Sequence, residues 1–121
     1  MSVVTIVVGT LCTGDVEGES VGVKPHVFHD TPCRTTVDSL MWNLMVKGMG
    51  LDTVLPSNKL FRVTPKIVAT LRQELNTFSN VLPNAWYHRL ERLATMIGVA
   101  LSDAKTPAWI LIIDEGSYDG V

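Results

Sequence analysis

The amino-acid sequence predicts a small α+β domain, in which a mixed or mainly antiparallel sheet of about 4–5 strands packs against a helical hairpin and one further helix. Dense apolar segments lie near both ends of the chain, and two amphipathic helix patterns occupy residues 64–101. The elements also do not alternate between strand and helix as they do in a doubly wound protein. Because no repeat and no break in composition divides the 121 residues, we expect one domain spanning 1–121.

The first third of the chain predicts strands joined by a loop. Residues 2–9 (SVVTIVVG) are β-branched and nearly unbroken in apolar character, which predicts a strand covered on both faces. Glycines and acids follow, and they predict a flexible glycine-rich loop over 10–22. Residues 23–29 predict a second strand. Because Pro25 lacks an N–H group, this strand belongs at a sheet edge or begins at His26.

The next pattern predicts a helix over 37–47, capped by Thr35 or Thr36 and ended by a glycine. Its main stripe is expected to face the core and comprises Val37, Leu40, Met41, Leu44 and Met45. Trp42 and Val46 lie on the opposite side, so this helix is apolar on two sides. Such a helix is either enclosed within its own domain or contacts another chain. Tryptophan is a frequent interface anchor, which makes Trp42 and Val46 candidates for partner binding.

The second half of the chain predicts the helical hairpin between two strand regions. Residues 53–55 and 59–63 predict two short strands. The hairpin over 64–101 opens with a capping hydroxyl at Thr64 and a proline at the first helical position, and Pro83 divides its two helices. Residues 108–113 predict a dense apolar strand that lies with the first strand at the sheet centre, and 115–121 is expected to be a frayed tail.

Composition and charge limit the classes of function. The formal net charge of −2 disfavours a general nucleic-acid binder, which would carry a basic excess. Charged residues make up only 18% of the chain, against about a quarter in typical domains. This shortage indicates either a surface rich in small polar residues or an oligomer or partner interface. No charged n-region of a signal peptide precedes Lys24, so a cytoplasmic location and reduced cysteines are expected.

A metal site is the first chemical hypothesis. His26, His29 and Cys33 lie close together in the sequence, and Cys12 could supply a fourth ligand. Imidazole and thiolate ligands together suit zinc. No paired cysteine motif is present, however, and histidines in a regular strand would point to opposite faces. Two surface histidines and two semi-buried thiols are the favoured alternative, so no cofactor is predicted.

Three further patterns fall short of a catalytic motif. Residues 9–14 have the glycine spacing of a phosphate loop, but Asp15 stands where the loop needs a lysine. Cys33 could act as a nucleophile with His29, although nothing in the sequence fixes their geometry. The acids Asp114, Glu115 and Asp119 could hold a divalent ion, but a solvated acidic tail explains them as well. The sequence therefore favours a protein that is not an enzyme.

The outer side of the second hairpin helix is the other candidate contact surface. Arg89, Arg92, Met96 and Val99 gather on the face away from Trp86 and Leu93. Arginine with methionine is typical of interfaces, although an ordinary solvated face would look similar. The sequence thus predicts a small non-enzymatic protein-binding module, an inhibitor, adaptor or assembly subunit, that self-associates. The alternatives are a small metal-dependent hydrolase or zinc-stabilised domain using His26, His29 and Cys33, and a weak nucleic-acid binder acting through Arg89 and Arg92.

Overall fold

The computed structural model describes residues 2–13, 21–103 and 107–114. These residues form an α+β fold, as predicted, with a five-stranded antiparallel sheet, a two-stranded hairpin and three helices. The strands are β1 (Val3–Thr13), β2 (Val21–Pro25), β3 (Val27–Phe28), β4 (Thr31–Pro32), β5 (Arg34–Asp38), β6 (Lys59–Arg62) and β7 (Trp109–Asp114). The helices are α1 (Ser39–Gly48), α2 (Pro65–Thr77) and α3 (Asn84–Asp103). None of the helices in these ranges is long and apolar enough to cross a membrane.

The two terminal strands lie side by side at the centre of the sheet, which confirms the prediction from their dense apolar sequences. The strand order is β2-β1-β7-β6, and β5 pairs with β1 on the same side as β2. The pairing of β1 with β7 runs from Val4 opposite Asp114 to Gly9 opposite Trp109. At Gly9, any side chain would overlap the carbonyl group of Lys24, so glycine is required where β2 approaches β1.

A small hairpin interrupts the strand that runs alongside β1. His26 donates from its backbone N–H to the carbonyl of Val8 (2.9 Å), and the N–H of Val8 donates to the carbonyl of Cys33 (3.0 Å). His26 and Cys33 are thus held beside Val8, and strands β3 and β4 lie between them as a hairpin outside the main sheet. The hairpin turns at His29 and Asp30, whose φ angles of 51° and 64° match a two-residue turn with both central residues left-handed. We refer to residues 27–32 as the inserted hairpin.

The helices cover one face of the sheet. Val4, Ile6 and Val8 of β1 are completely buried, as are Ile110 and Ile112 of β7. The side chains that alternate with them on β7 are only half-buried. Helices α1 and α3 pack on the buried face, and α2 packs against α3 as the predicted helical hairpin. The prediction that strands 2–9 and 108–113 are central is thus correct, but only one face is fully covered.

Several predicted boundaries are wrong. Residues 10–13 and 21–22, at the two ends of the predicted loop, belong instead to β1 and β2. Residues 53–55 form a turn instead of a strand. Thr35 and Thr36 belong to β5, and the helix cap is Asp38, whose side chain accepts from the N–H of Met41 at 3.0 Å. Thr64 makes no capping bond with its side chain, although Pro65 does begin α2. Residues 14–20, within the predicted loop, and the predicted tail 115–121 lie outside the described residues.

Helix α1 buries the side that the sequence assigned to the surface. Leu40 and Leu44 are 69% and 57% exposed, whereas Trp42 is 1% exposed and Val46 is buried with it. Met45 is buried as predicted, and Met41 is partly buried. The physical reason is size, because tryptophan removes more apolar area from water than any other side chain. The sheet therefore receives the Trp42 side of the helix.

Candidate binding surface

The outer face of α3 carries the residues that the sequence predicted for it. Arg89, Arg92, Met96 and Val99 follow one another at intervals of three and four, so they lie along one stripe of the helix. The buried stripe of the helix lies beside it and consists of Leu90, Leu93, Ala94, Ile97 and Ala100. Both arginines are exposed, and Met96 and Val99 are half-buried. The predicted contact stripe is therefore on the surface.

A pocket of about 340 Å³ opens beside this stripe, between β5, α1 and α3. We call it the tryptophan pocket, because Trp42 forms part of its lining. Thr35 and Val37 line it from the strand, and α3 lines it from Ala85 to Met96. Its walls are mostly apolar, while Arg89, Arg92 and His88 supply the polar groups. A pocket of this volume lies at the lower end of the range for ligand sites.

A second pocket, of about 300 Å³, lies between the inserted hairpin and α3. We call it the hairpin pocket. Phe28 and Pro32 line one side, and Met96 and Val99 line the other. Arg34 and Arg92 also reach it, so Arg92 and Met96 contribute to both pockets. The two pockets are adjacent along α3.

Three arginines surround the pockets, and we refer to Arg34, Arg89 and Arg92 together with both pockets as the arginine groove. The one ion pair found among the described residues joins His26 to Asp103, so none of these arginines pairs with a described acid. Arg89 donates from Nη1 to the carbonyl oxygen of Thr36, at 3.4 Å. A guanidinium group without a carboxylate partner remains available to an anionic ligand. The groove is therefore both cationic and apolar.

Trp42 and Val46 do not form the contact surface predicted for them. Both side chains are in the core, although Trp42 also contributes to the floor of the tryptophan pocket. A side chain that is already covered by its own domain cannot present area to a partner in this conformation. The exposed apolar residues of α1 are instead Leu40 and Leu44.

The predicted metal ligands are not brought together. Among residues 2–13, 21–103 and 107–114, no group of three His, Cys, Asp or Glu side chains could hold a metal ion. His29 lies at the tip of the inserted hairpin and is exposed, whereas His26 lies at its base and bonds to Asp103 through Nε2 at 2.8 Å. Cys33 faces the core, and the side chain of Cys12 lies outside the described residues. The hairpin therefore separates the two histidines.

Cys33 is positioned as a core residue. Its thiol is buried and lies 3.9 Å from the carbonyl oxygen of Met96. Burial raises the pKa of the Cys33 thiol above its ordinary value, so the thiol stays protonated at neutral pH. A nucleophile needs the opposite shift. The geometry therefore does not support catalysis by Cys33.

Asp114 has an environment that the sequence did not predict. Its side chain is 2% exposed and accepts hydrogen bonds from Ser39 Oγ (2.6 Å) and Asn43 Nδ2 (2.8 Å). The backbone N–H of Asp114 donates to the Asn58 side chain at 3.0 Å. The carboxylate thus joins β7 to the start of α1. Glu115 and Asp119, the other members of the predicted acidic cluster, lie outside the described residues.

Sequence reasoning missed Arg34 and Phe28 as members of the groove. The sequence predicts a turn before a helix at Arg34, and a regular strand at Phe28. The positive φ angles at His29 and Asp30 form the turn of the hairpin that carries Phe28 towards α3. Histidine and aspartate adopt such angles more often than most residues, but the pair lacks the glycine of the usual two-residue turns, so it was only a weak signal. No protein-family model, no curated protein and no solved structure matches this chain.

Proposed function

We propose that this chain is a small non-enzymatic protein-binding module, and that the arginine groove receives an acidic segment of a partner protein that also carries apolar side chains. One observation carries the proposal. Two adjacent pockets share Arg92 and Met96, and the arginines around them have no acidic partner among the described residues. Charge complementarity therefore selects a partner rich in Asp or Glu.

The chemistry of the groove favours a protein segment over a simple anion. Arginine is weakly hydrated and binds carboxylates with two parallel hydrogen bonds. Met96 lies between the pockets and adapts its shape to apolar groups. A segment that fills both pockets would bury apolar area at the same time as it neutralises the guanidinium charges. Both contributions are needed, because exposed ion pairs alone contribute little binding free energy.

The spacing of the pockets favours an extended segment. The tryptophan pocket contacts α3 from Ala85 to Met96 and the hairpin pocket contacts it from Arg92 to Val99. Their centres are therefore offset by about one and a half helical turns, roughly 7–8 Å. Alternate residues of an extended chain lie about 7 Å apart on one side. We therefore expect apolar side chains at positions i and i+2, with acids next to them.

A labelled peptide tests this proposal. The probe is a fluorescent ten-residue peptide of alternating Leu and Glu, and its binding is followed by anisotropy. Loss of one charge-assisted contact in Arg92→Gln should weaken binding about tenfold or more. The matched control is Arg62→Gln, which removes an exposed arginine of β6 outside the groove and should leave the affinity unchanged.

Comparison peptides separate the contributions and the alternatives. Replacement of Leu by Ser, or of Glu by Lys, should abolish measurable binding if both pocket filling and charge are required. Equal binding to all three peptides, or equal losses in both arginine variants, would overturn the proposal. Salt-sensitive retention on heparin that depends on Arg89 and Arg92, without binding of the Leu-Glu peptide, would favour a nucleic acid as the ligand instead.

A further inference from the structure

The outer edge of β5 has no neighbouring strand among the described residues. Hydrogen bonds at both ends fix the register of β5 against β1. One involves Val8 of β1, and the other involves Ser2, the residue before β1. The N–H of Val8 donates to the carbonyl of Cys33 (3.0 Å), and the N–H of Ser39 donates to the carbonyl of Ser2 (3.1 Å). Both bonds continue the register of the β1–β5 pairs. In an antiparallel pair, every second residue bonds to the neighbouring strand and the residues between direct their groups away.

This alternation assigns each residue of β5 to one side. Thr35 and Val37 bond to β1, whereas Arg34, Thr36 and Asp38 direct their N–H and C=O groups towards the free edge. The Arg89 side chain donates to the Thr36 carbonyl, which agrees with that direction. A backbone carbonyl oxygen has two lone pairs, so it can also accept from the N–H of another chain. The outer edge of β5 is thus a template onto which another extended chain can pair.

The other edges of the sheet are less suited to pairing. Pro25 lacks an N–H group and lies in β2, which shares the same side of β1 as β5. β6 is short and carries Lys59 and Arg62, so two copies of that edge would bring like charges together. β5 differs because its two charged residues, Arg34 and Asp38, have opposite signs and lie at opposite ends of the strand.

We propose that a second copy of this chain pairs with β5 edge to edge in the antiparallel direction, with Thr36 of one copy opposite Thr36 of the other. In this register, the residues that face each other all direct their backbone N–H and C=O groups outwards. Hydrogen-bonded pairs of an antiparallel ladder require this arrangement. It also places Arg34 of each copy opposite Asp38 of the other, so two ion pairs form by symmetry. A shift by two residues would lose both ion pairs and shorten the ladder.

Exposed apolar side chains lie in the elements that precede and follow β5 in the chain. Val27 and Phe28 lie in the inserted hairpin, just before Arg34, and Leu40 and Leu44 lie in α1, just after Asp38. Antiparallel pairing brings the hairpin end of one copy to the α1 end of the other. The contact is isologous, so each copy contributes both groups and apolar burial supplements the short ladder. This proposal rests on the backbone groups of the sheet edge. It shares Arg34 with the arginine groove, but it does not require that the groove bind a peptide.

A proline substitution at the edge provides the first test. Sedimentation velocity over a range of concentrations should show a reversible dimer of the full chain. Thr36→Pro removes the outward N–H group without breaking a bond to β1, so it should give a monomer with an unchanged circular dichroism spectrum. Thr36→Val is the matched control, since it keeps the N–H group and should still dimerise. A wild-type chain that stays monomeric at every concentration, or a Thr36→Pro dimer of unchanged affinity, would overturn the proposal.

A charge exchange between the two ends of β5 provides the second test. Arg34→Glu and Asp38→Lys should each raise the dimer dissociation constant about tenfold or more, because each places like charges opposite each other twice. An equimolar mixture of the two variants should restore dimers, since the two substituted side chains then face each other with opposite charges, as do the unchanged Arg34 and Asp38. Lys66→Glu, an equal change of charge on α2, is the control. If Asp38→Lys loses its helix cap and unfolds, Arg34→Glu alone decides the outcome.

Discussion

Asp114 shows at the scale of single residues why a sequence motif can be misread. In the sequence it begins an acidic cluster, which is typical of a solvated tail or a cation site. In the structure, Ser39 and Asn43 donate to its carboxylate, and Asn58 accepts from its backbone N–H. These partners are at least 56 residues away in the chain, so no local pattern could reveal them. Its role is to hold β7 against the start of α1.

Removal of this carboxylate should therefore be costly. We expect Asp114→Ala to lower the free energy of unfolding by about 2–3 kcal/mol, because it removes the acceptor of the buried Ser39 hydroxyl and one of the acceptors of the Asn43 amide. Urea denaturation measures the change. Asp103→Ala is the control, since its side chain is 54% exposed and its ion pair with His26 should contribute about 0–1 kcal/mol. Equal losses in the two variants would contradict this role.

The elements show which assignments could be made from sequence. Helices α2 and α3 follow clear amphipathic patterns, so the sequence predicts both, and it predicts β7 to within one residue at each end. It also predicts β1, but without the last four residues of that strand. The sequence does not indicate β5, because Thr35 and Thr36 resemble helix caps and Val37 fits the apolar stripe of the helix that follows. The prediction that the Leu40 and Leu44 side of α1 faces the core is also wrong. An apolar pattern on two sides of a helix does not indicate which side packs on the sheet. The size of Trp42 favours the side that is buried, but the space that receives it lies between β5 and α3 and is formed only by the fold.

Paired substitutions on α1 test that choice of face. Trp42→Ala should lower the free energy of unfolding by about 3–5 kcal/mol, as expected for a fully buried aromatic side chain. Leu44→Ala should change it by less than about 0.5 kcal/mol, since that side chain is mostly exposed. Both are measured at protein concentrations too low for self-association, because Leu44 flanks the proposed dimer edge. The reverse order of the two losses would show that α1 packs with its other side inwards.

The whole molecule places together residues that the sequence holds far apart. The stripe Arg89, Arg92, Met96 and Val99 could be predicted from helical spacing alone, and the structure shows it on the surface. The groove beside it could not, because its other wall comes from β5 and the inserted hairpin. Those elements reach α3 only through pairing with β1, and strand pairing is non-local. The sequence therefore indicated a contact stripe, while the fold turned it into two pockets with a cationic rim.

Mapping the bound peptide on the protein tests the central claim most directly. Backbone amide chemical shifts of isotope-labelled protein would be recorded by NMR during titration with the alternating Leu-Glu peptide. If the peptide binds in the arginine groove, the chemical-shift changes should be concentrated in residues 34–37 and 88–99. The amides of α2 from 66 to 76 should keep their shifts and serve as an internal control. Absence of any shift at saturating peptide, or shifts concentrated in α2 or β6, would contradict the proposed function.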